Sequence, residues 1–187
     1  VPYGLSNEWF NYKPTPKKGR ILFVGLVGLR KGVHYLAQAS RILNSWGYDY
    51  EIVVAGKKLV DTNIDLFKGP KYLGHIPRSK IIKEYLSADV FILPTIAEGF
   101  GLVHLEAMAC GLPIITTKNC GAVIENNKEG LIIPIRDPIA IANGIIKIVE
   151  NRSLRNKMSK AAKVKARKYT WTEYSNKLLK ALNSKVS

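Results

Sequence analysis

Val90-Phe91-Ile92-Leu93, an unbroken apolar run closed by Pro94-Thr95, is followed by a Gly-Phe-Gly turn, a short helical stretch and a second apolar run, Pro113-Ile114-Ile115-Thr116. Strand, glycine loop, helix, strand is a parallel βαβ unit, because parallel strands need a crossover and bury both of their faces. In sheets of this kind ligands bind at the carboxyl ends of the strands. Two carboxylates stand there, eight positions apart. Glu98 falls in the loop, and Glu106 falls one turn into the helix that stops at Cys110-Gly111. Amides beyond Gly101 offer the positive end of a helix to an anion. Two acids beside an anion site point to recognition of hydroxyls rather than phosphate.

The rest of the chain repeats the alternation. Arg20 to Val24 reads as a strand, residues 33 to 46 as a helix with Val33, Leu36, Ala37 and Leu43 inward, and Gly47 as its stop. Tyr50 to Ala55 is a strand, Lys57 to Pro70 a loop with a short helix, and Lys71 to Gly74 a short strand. Ser79 is expected to cap a helix reaching Ala88. After the central unit come a last strand, Gly130 to Pro134, and the pair Asp137-Pro138, a cap with proline at the first helical position. Helices are predicted over 138 to 150 and 152 to 168, and Thr170 starts a third. Continuous apolar strands between helices predict an α/β fold, a doubly wound parallel sheet of Rossmann-like type.

A second chemical candidate lies between the first strand and first helix, Gly25-Leu26-Val27-Gly28-Leu29-Arg30-Lys31-Gly32. Arg30 offers a planar fork and Lys31 a point charge, both suited to phosphate oxygens. The spacing is neither a Walker A loop nor G-x-G-x-x-G, and a solvated basic turn fits the residues equally well.

A chain of 187 residues with 47% apolar side chains is long enough for one domain with a substantial core, and no apolar run approaches a membrane span. Cys110 and Cys120, the only cysteines, form no C-x-x-C pair, and His34, His75 and His104 have no metal spacing. The cysteine pattern suits two reduced thiols in a cytosolic protein.

The stretch from Glu98 to Glu106, with Leu93-Pro94-Thr95, Glu98-Gly99-Phe100-Gly101, Glu106-Ala107-Met108-Ala109 and Gly111-Leu112-Pro113 around it, resembles the E-x7-E signature of retaining glycosyltransferases of family 4, which have the two-domain GT-B fold. The likeness runs from Val1-Pro2-Tyr3-Gly4 to Thr170-Trp171. It implies that residues 1–187 are the carboxyl-terminal, donor-binding half, with residues 1–19 as hinge and lead-in, 170–187 as closing helix, and the amino-terminal acceptor domain outside this chain. The donor would be a nucleoside-diphosphate sugar, with no metal cofactor. Glu106 would hold the ribose hydroxyls and Glu98 the hydroxyls of the transferred sugar. Amides of Gly99, Phe100, Gly101, Leu102 and Val103 would help hold sugar and diphosphate, and Gly25 would be among the donor-binding residues. Lys31 would meet the diphosphate. An Arg common in this family falls here on Leu26, so Arg30 is the available substitute. Gly74-His75-Ile76-Pro77 resembles the loop that touches the nucleobase, with Ile76 among its contacts. Cys120-Gly121-Ala122 departs from the family's Gly-Gly and following Glu. The resemblance implies a transferase acting on a glycan or lipid-linked acceptor. A non-catalytic nucleotide-sugar-binding or assembly subunit would use the same pocket.

The formal charge is +15. Between Glu150 and Glu173 lie Arg152, Arg155, Lys157, Lys160, Lys163, Lys165, Arg167 and Lys168 without an acid, on an amphipathic helix with Leu154, Met158, Ala161 and Ala162 inward. A solvated face and attachment to an anionic membrane surface, here the inner face of the membrane, both suit this pattern. Nucleic acid suits it less, since no aromatic stacking platform accompanies the charge.

Overall fold

The computed structural model describes residues 3–121 and 123–183; Val1-Pro2 of the hinge signature, Ala122 of the departing loop and the end of the closing segment lie outside them. Six parallel strands form one sheet in the order β3-β2-β1-β4-β5-β6. They are β1 (Arg20–Val24), β2 (Glu51–Ala55), β3 (Lys71–Gly74), β4 (Val90–Leu93), β5 (Ile114–Thr117) and β6 (Gly130–Ile133). The register pairs Ile21 with Ile52 and with Val90, and Ile115 with both Ile92 and Leu131. Nearly every residue of β1, β4 and β5 is buried, as strands covered on both faces require.

The helices are α1 (Val33–Ser45), α2 (Arg78–Ser87), α3 (Leu102–Ala109), α4 (Pro138–Glu150), α5 (Arg152–Ala166) and α6 (Trp171–Asn183). Right-handed crossovers send the chain one way from β1 and the other way from β4, so α1 covers one face while α2 and α3 cover the other. α4 returns to pack on α1, and α5 packs on α3. Asp137 caps α4 by accepting from the Ala140 N–H at 2.8 Å, with Pro138 at the first position. Thr170 accepts from the Glu173 N–H at 3.2 Å at the head of α6.

Two expectations change. Ser79 is not a cap: α2 begins at Arg78, because Pro77 holds φ at −56° and its carbonyl accepts from the N–H groups of Lys80 and Ile81. The basic helix is not a uniform face. Arg155 is 4% exposed and, with Arg152, grips the wholly buried Asp89 at the start of β4, at 2.9 and 2.5 Å. Lys165 pairs with Glu125 at 2.8 Å and Glu129 at 3.3 Å. Helical periodicity turned these cations inward onto acids distant in sequence. Among the described residues no helix is long and apolar enough to cross a membrane.

Candidate functional site

β1 and β4 lie side by side at the centre of the sheet, where the winding reverses. Loops leaving their carboxyl ends diverge to opposite faces and open a crevice between them. The first loop carries Gly25 to Gly32 and the second Pro94 to Gly101. They are stitched together: the Arg30 carbonyl accepts from the Ile96 N–H at 2.9 Å, and the Arg30 guanidinium donates to the Ala97 carbonyl at 2.8 Å. Gly32 has φ +71°, and a Cβ there would collide with the Pro94 carbonyl, so only glycine lets the loops approach this closely.

That approach seats the Lys31 ammonium directly against the Glu98 carboxylate. Both side chains are largely shielded, at 14% and 16% exposure, while Arg30 is open to solvent and stands 4.0 Å from the same carboxylate. Burial, and then the neighbouring Arg30 charge, lower the Lys31 pKa. The Gly99 N–H donates to the Glu98 carboxylate at 3.0 Å, and the Gly99 carbonyl accepts from the Gly121 N–H at 2.6 Å. Gly101, at φ +67°, turns the chain into α3, whose first amides at Leu102 and Val103 have no side-chain cap. Phe100 packs edge-on against Tyr3, ring centres 5.9 Å apart. Glu98, Lys31, Arg30 and residues Gly99 to Val103 therefore gather around one point at the mouth of the crevice.

Glu106 belongs to a different place. It lines a cleft of about 380 Å³ beside that point, with Gly25 after β1, Gly56 and Lys57 after β2, His75 and Ile76 after β3, and Arg78 from α2. Most of the lining is apolar: Val24, Ala55, Ile76 and Ile81. Glu106 is only 8% exposed. One oxygen accepts from the Tyr85 hydroxyl at 2.9 Å and the other faces the Arg78 guanidinium at 3.4 Å. Burial raises the Glu106 pKa, and the Tyr85 hydrogen bond and Arg78 charge oppose that rise. Gly25 and Ile76 thus join Glu106 in the cleft. Tyr85, Arg78 and Lys57 were not singled out from the sequence. Arg78 sits directly after the His75-Ile76-Pro77 turn, a position that could have marked it.

His104 underpins the junction of the two places. It is buried beneath the first turn of α3, with ring nitrogens 3.0 Å from the Gly101 carbonyl and 3.1 Å from the Thr116 hydroxyl. Burial depresses its pKa to about 4, so the ring is neutral near pH 7. Cys120 lies 3.6 Å from the same ring, its thiol pushed up to about 11 chiefly by burial. Among the described residues no group of three His, Cys, Asp or Glu side chains gathers as metal ligands.

The parallel sheet that carries this crevice has known counterparts. Residues 6–165 match the family described as Glycosyl transferases group 1, and the chain belongs to that family. The capsular polysaccharide biosynthesis glycosyltransferase CapM of Staphylococcus aureus is 36% identical over 141 residues, which are 71% of this chain and 37% of that protein. The chain thus spans well under half of that relative's length. Sucrose-phosphate synthase from Thermosynechococcus elongatus superposes with a TM-score of 0.81 at 22% identity, covering 100% of this chain and 53% of that one. Anabaena HepE, solved in complex with UDP-glucose, superposes with a TM-score of 0.74 at 19% identity, covering 90% and 49%. These structural likenesses establish the Rossmann-like fold of the GT-B glycosyltransferases.

Proposed function

We propose that this chain is the donor-binding domain of a retaining glycosyltransferase of family 4, acting on a nucleoside-diphosphate sugar and passing the sugar to a glycan or lipid-linked acceptor held by a second domain. The observation that carries this reading is the separation of the two acids into two stations. Glu106 lines an apolar cleft suited to a base and ribose, and Glu98 sits with Lys31 at the mouth, where the diphosphate would end and the sugar begin. HepE, of similar fold, was solved with UDP-glucose, which is the class of ligand proposed here.

In this reading Glu106 accepts from the ribose hydroxyls and Glu98 from hydroxyls of the transferred sugar. Lys31, with Arg30 beside it, neutralises charge that develops on the departing diphosphate, and the α3 amides lie along the same path. Lys31 stands in a partly desolvated crevice, where its charge counts for more than in water, while Arg30 adds its charge from the solvent side. Glu98 is an orienting acceptor and not a nucleophile, because the double-displacement route requires a second carboxylate flanking the same bond. Glu106 serves the other station. Departure and attack on one face of the sugar then account for retention. With its crevice walled on one side, the domain alone binds donor and transfers nothing, since it neither fixes an acceptor nor excludes water.

Titration calorimetry of this chain with UDP-, GDP- and ADP-sugars tests the reading. Saturable binding of one base class, retained at moderate salt, is the expected result. Failure of all three, or salt-sensitive binding to any polyanion regardless of base, would overturn it.

A further inference from the structure

Tyr85 has no exposed surface, yet it carries a hydroxyl that must find a partner inside the protein. Its ring is clamped edge-on by Trp9 at 5.7 Å and lies against Phe91 at 6.0 Å. These contacts aim the hydroxyl at Glu106, 2.9 Å away, across the gap between α2 and α3. Burial and the Glu106 charge hold the phenol well above its ordinary pKa, so it remains a donor. Among the described residues the other Glu106 oxygen pairs with Arg78, at 3.4 Å and with a side chain two-thirds exposed to solvent. The rigid hold on this acid therefore comes from the core side.

We propose that Tyr85 is a positioning residue for nucleotide recognition: its hydroxyl fixes Glu106 so that the carboxylate presents its acceptor lone pairs to the ribose hydroxyls. The proposal rests on the reading of Glu106 as the ribose acceptor. The groups facing Glu106 are Tyr85 and Arg78 from α2 and Cys110 from the end of α3, and Lys57 and His75 line the same cleft from the loops after β2 and β3. Burial pushes the Cys110 thiol up to about 12, so it is uncharged and silent at neutral pH.

The test compares the 187-residue chain with Tyr85→Phe, which keeps the ring and its packing. UDP, GDP and ADP, and the 2′,3′-dideoxy counterpart of each, are titrated by calorimetry, and the ratio of ribo to dideoxy affinity is read for whichever base binds. The expected result is a ribo preference in the parent chain that falls about threefold or more in Tyr85→Phe, with dideoxy affinity unchanged. A role confined to packing would weaken both ligands alike, and that outcome, or an unchanged ratio, overturns the proposal. Absence of any ribo preference in the parent chain overturns the reading of Glu106 itself, and is told apart because it appears before any substitution. A second readout uses a His75→Asn background to remove the imidazole from the cleft. The ribo preference needs the Glu106 carboxylate, so it fades as pH falls. Without the Tyr85 hydroxyl it should fade at a higher pH, and coincident profiles would count against the proposal.

Discussion

The Lys31 ammonium lies against the Glu98 carboxylate across the crevice, so the cation proposed for the diphosphate and the acid proposed for the sugar neutralise one another when no ligand is bound. In the proposed reading, a free nucleoside diphosphate competes with Glu98 for Lys31. The two glutamates therefore answer differently to removal. Glu106→Ala should weaken free diphosphate and nucleotide sugar together, by roughly ten- to a hundredfold, the worth of a charged hydrogen bond in a desolvated site. Glu98→Ala should bind free diphosphate at least as tightly as the parent and weaken only the nucleotide sugar. Calorimetry on the four combinations decides it, and equal losses of free diphosphate in both variants would refute the division.

Lys31 should be irreplaceable in kind. Lys31→Ala is expected to lower affinity for the free diphosphate by about tenfold. Lys31→Arg should restore little of that, because a rigid planar fork meets the Glu98 carboxylate and the phosphate oxygens in a different geometry from a point charge on a flexible stem. Full recovery with arginine would show that net charge alone matters there.

His104 links stability to pH. The folded protein keeps this ring neutral down to about pH 4, whereas the unfolded chain takes up a proton near 6.5. Between those values the unfolded state holds more protons, so stability falls as pH drops, by roughly 3 kcal/mol across the window. Urea midpoints measured from pH 7 to 4 should show this slope, and His104→Gln should flatten it. Parallel slopes in the two proteins would assign the loss to other groups.

Asp89 anchors the far end of the sheet. It accepts from Arg152 in a two-pronged contact at 2.5 and 2.9 Å, from Arg155 at 2.9 Å and from the Gly19 N–H at 3.1 Å. Asp89→Ala leaves the buried Arg155 without its counter-charge and should cost about 3–5 kcal/mol. Asp89→Asn should cost less, since it keeps an acceptor oxygen. Denaturant midpoints measure both, and a change below about 1 kcal/mol for the alanine variant would mean that water reaches the arginines.

The strands were legible because a parallel sheet buries both faces, and a run such as Arg20-Ile21-Leu22-Phe23-Val24 has no other comfortable home. The loop position of Glu98 and the helical position of Glu106 followed from the glycine punctuation between them. What escaped was pairing over distance. Nothing near Tyr85 signals an acid 21 positions later, and nothing near Asp89 signals two arginines more than 60 positions on. Arg155 looked like one more solvated cation in a basic run, because composition ignores which side of a helix a residue occupies. Ser79 misled for a local reason, since the preceding proline had already set the turn.

Leu5 pairs with the turn before α6: its N–H donates to the Tyr169 carbonyl at 2.7 Å, and its carbonyl accepts from the Trp171 N–H at 3.3 Å. Gly4 lies so close to the Trp171 backbone that a Cβ would stand 2.6 Å from it. Residues 3–5 and the last helix thus share a single seam, and Tyr3 rests at that seam with one ring neighbour in α6, Tyr174, and another in the loop that carries Glu98, Phe100. Through that one ring, the backbone seam between Leu5 and Trp171 is joined to the loop that carries Glu98.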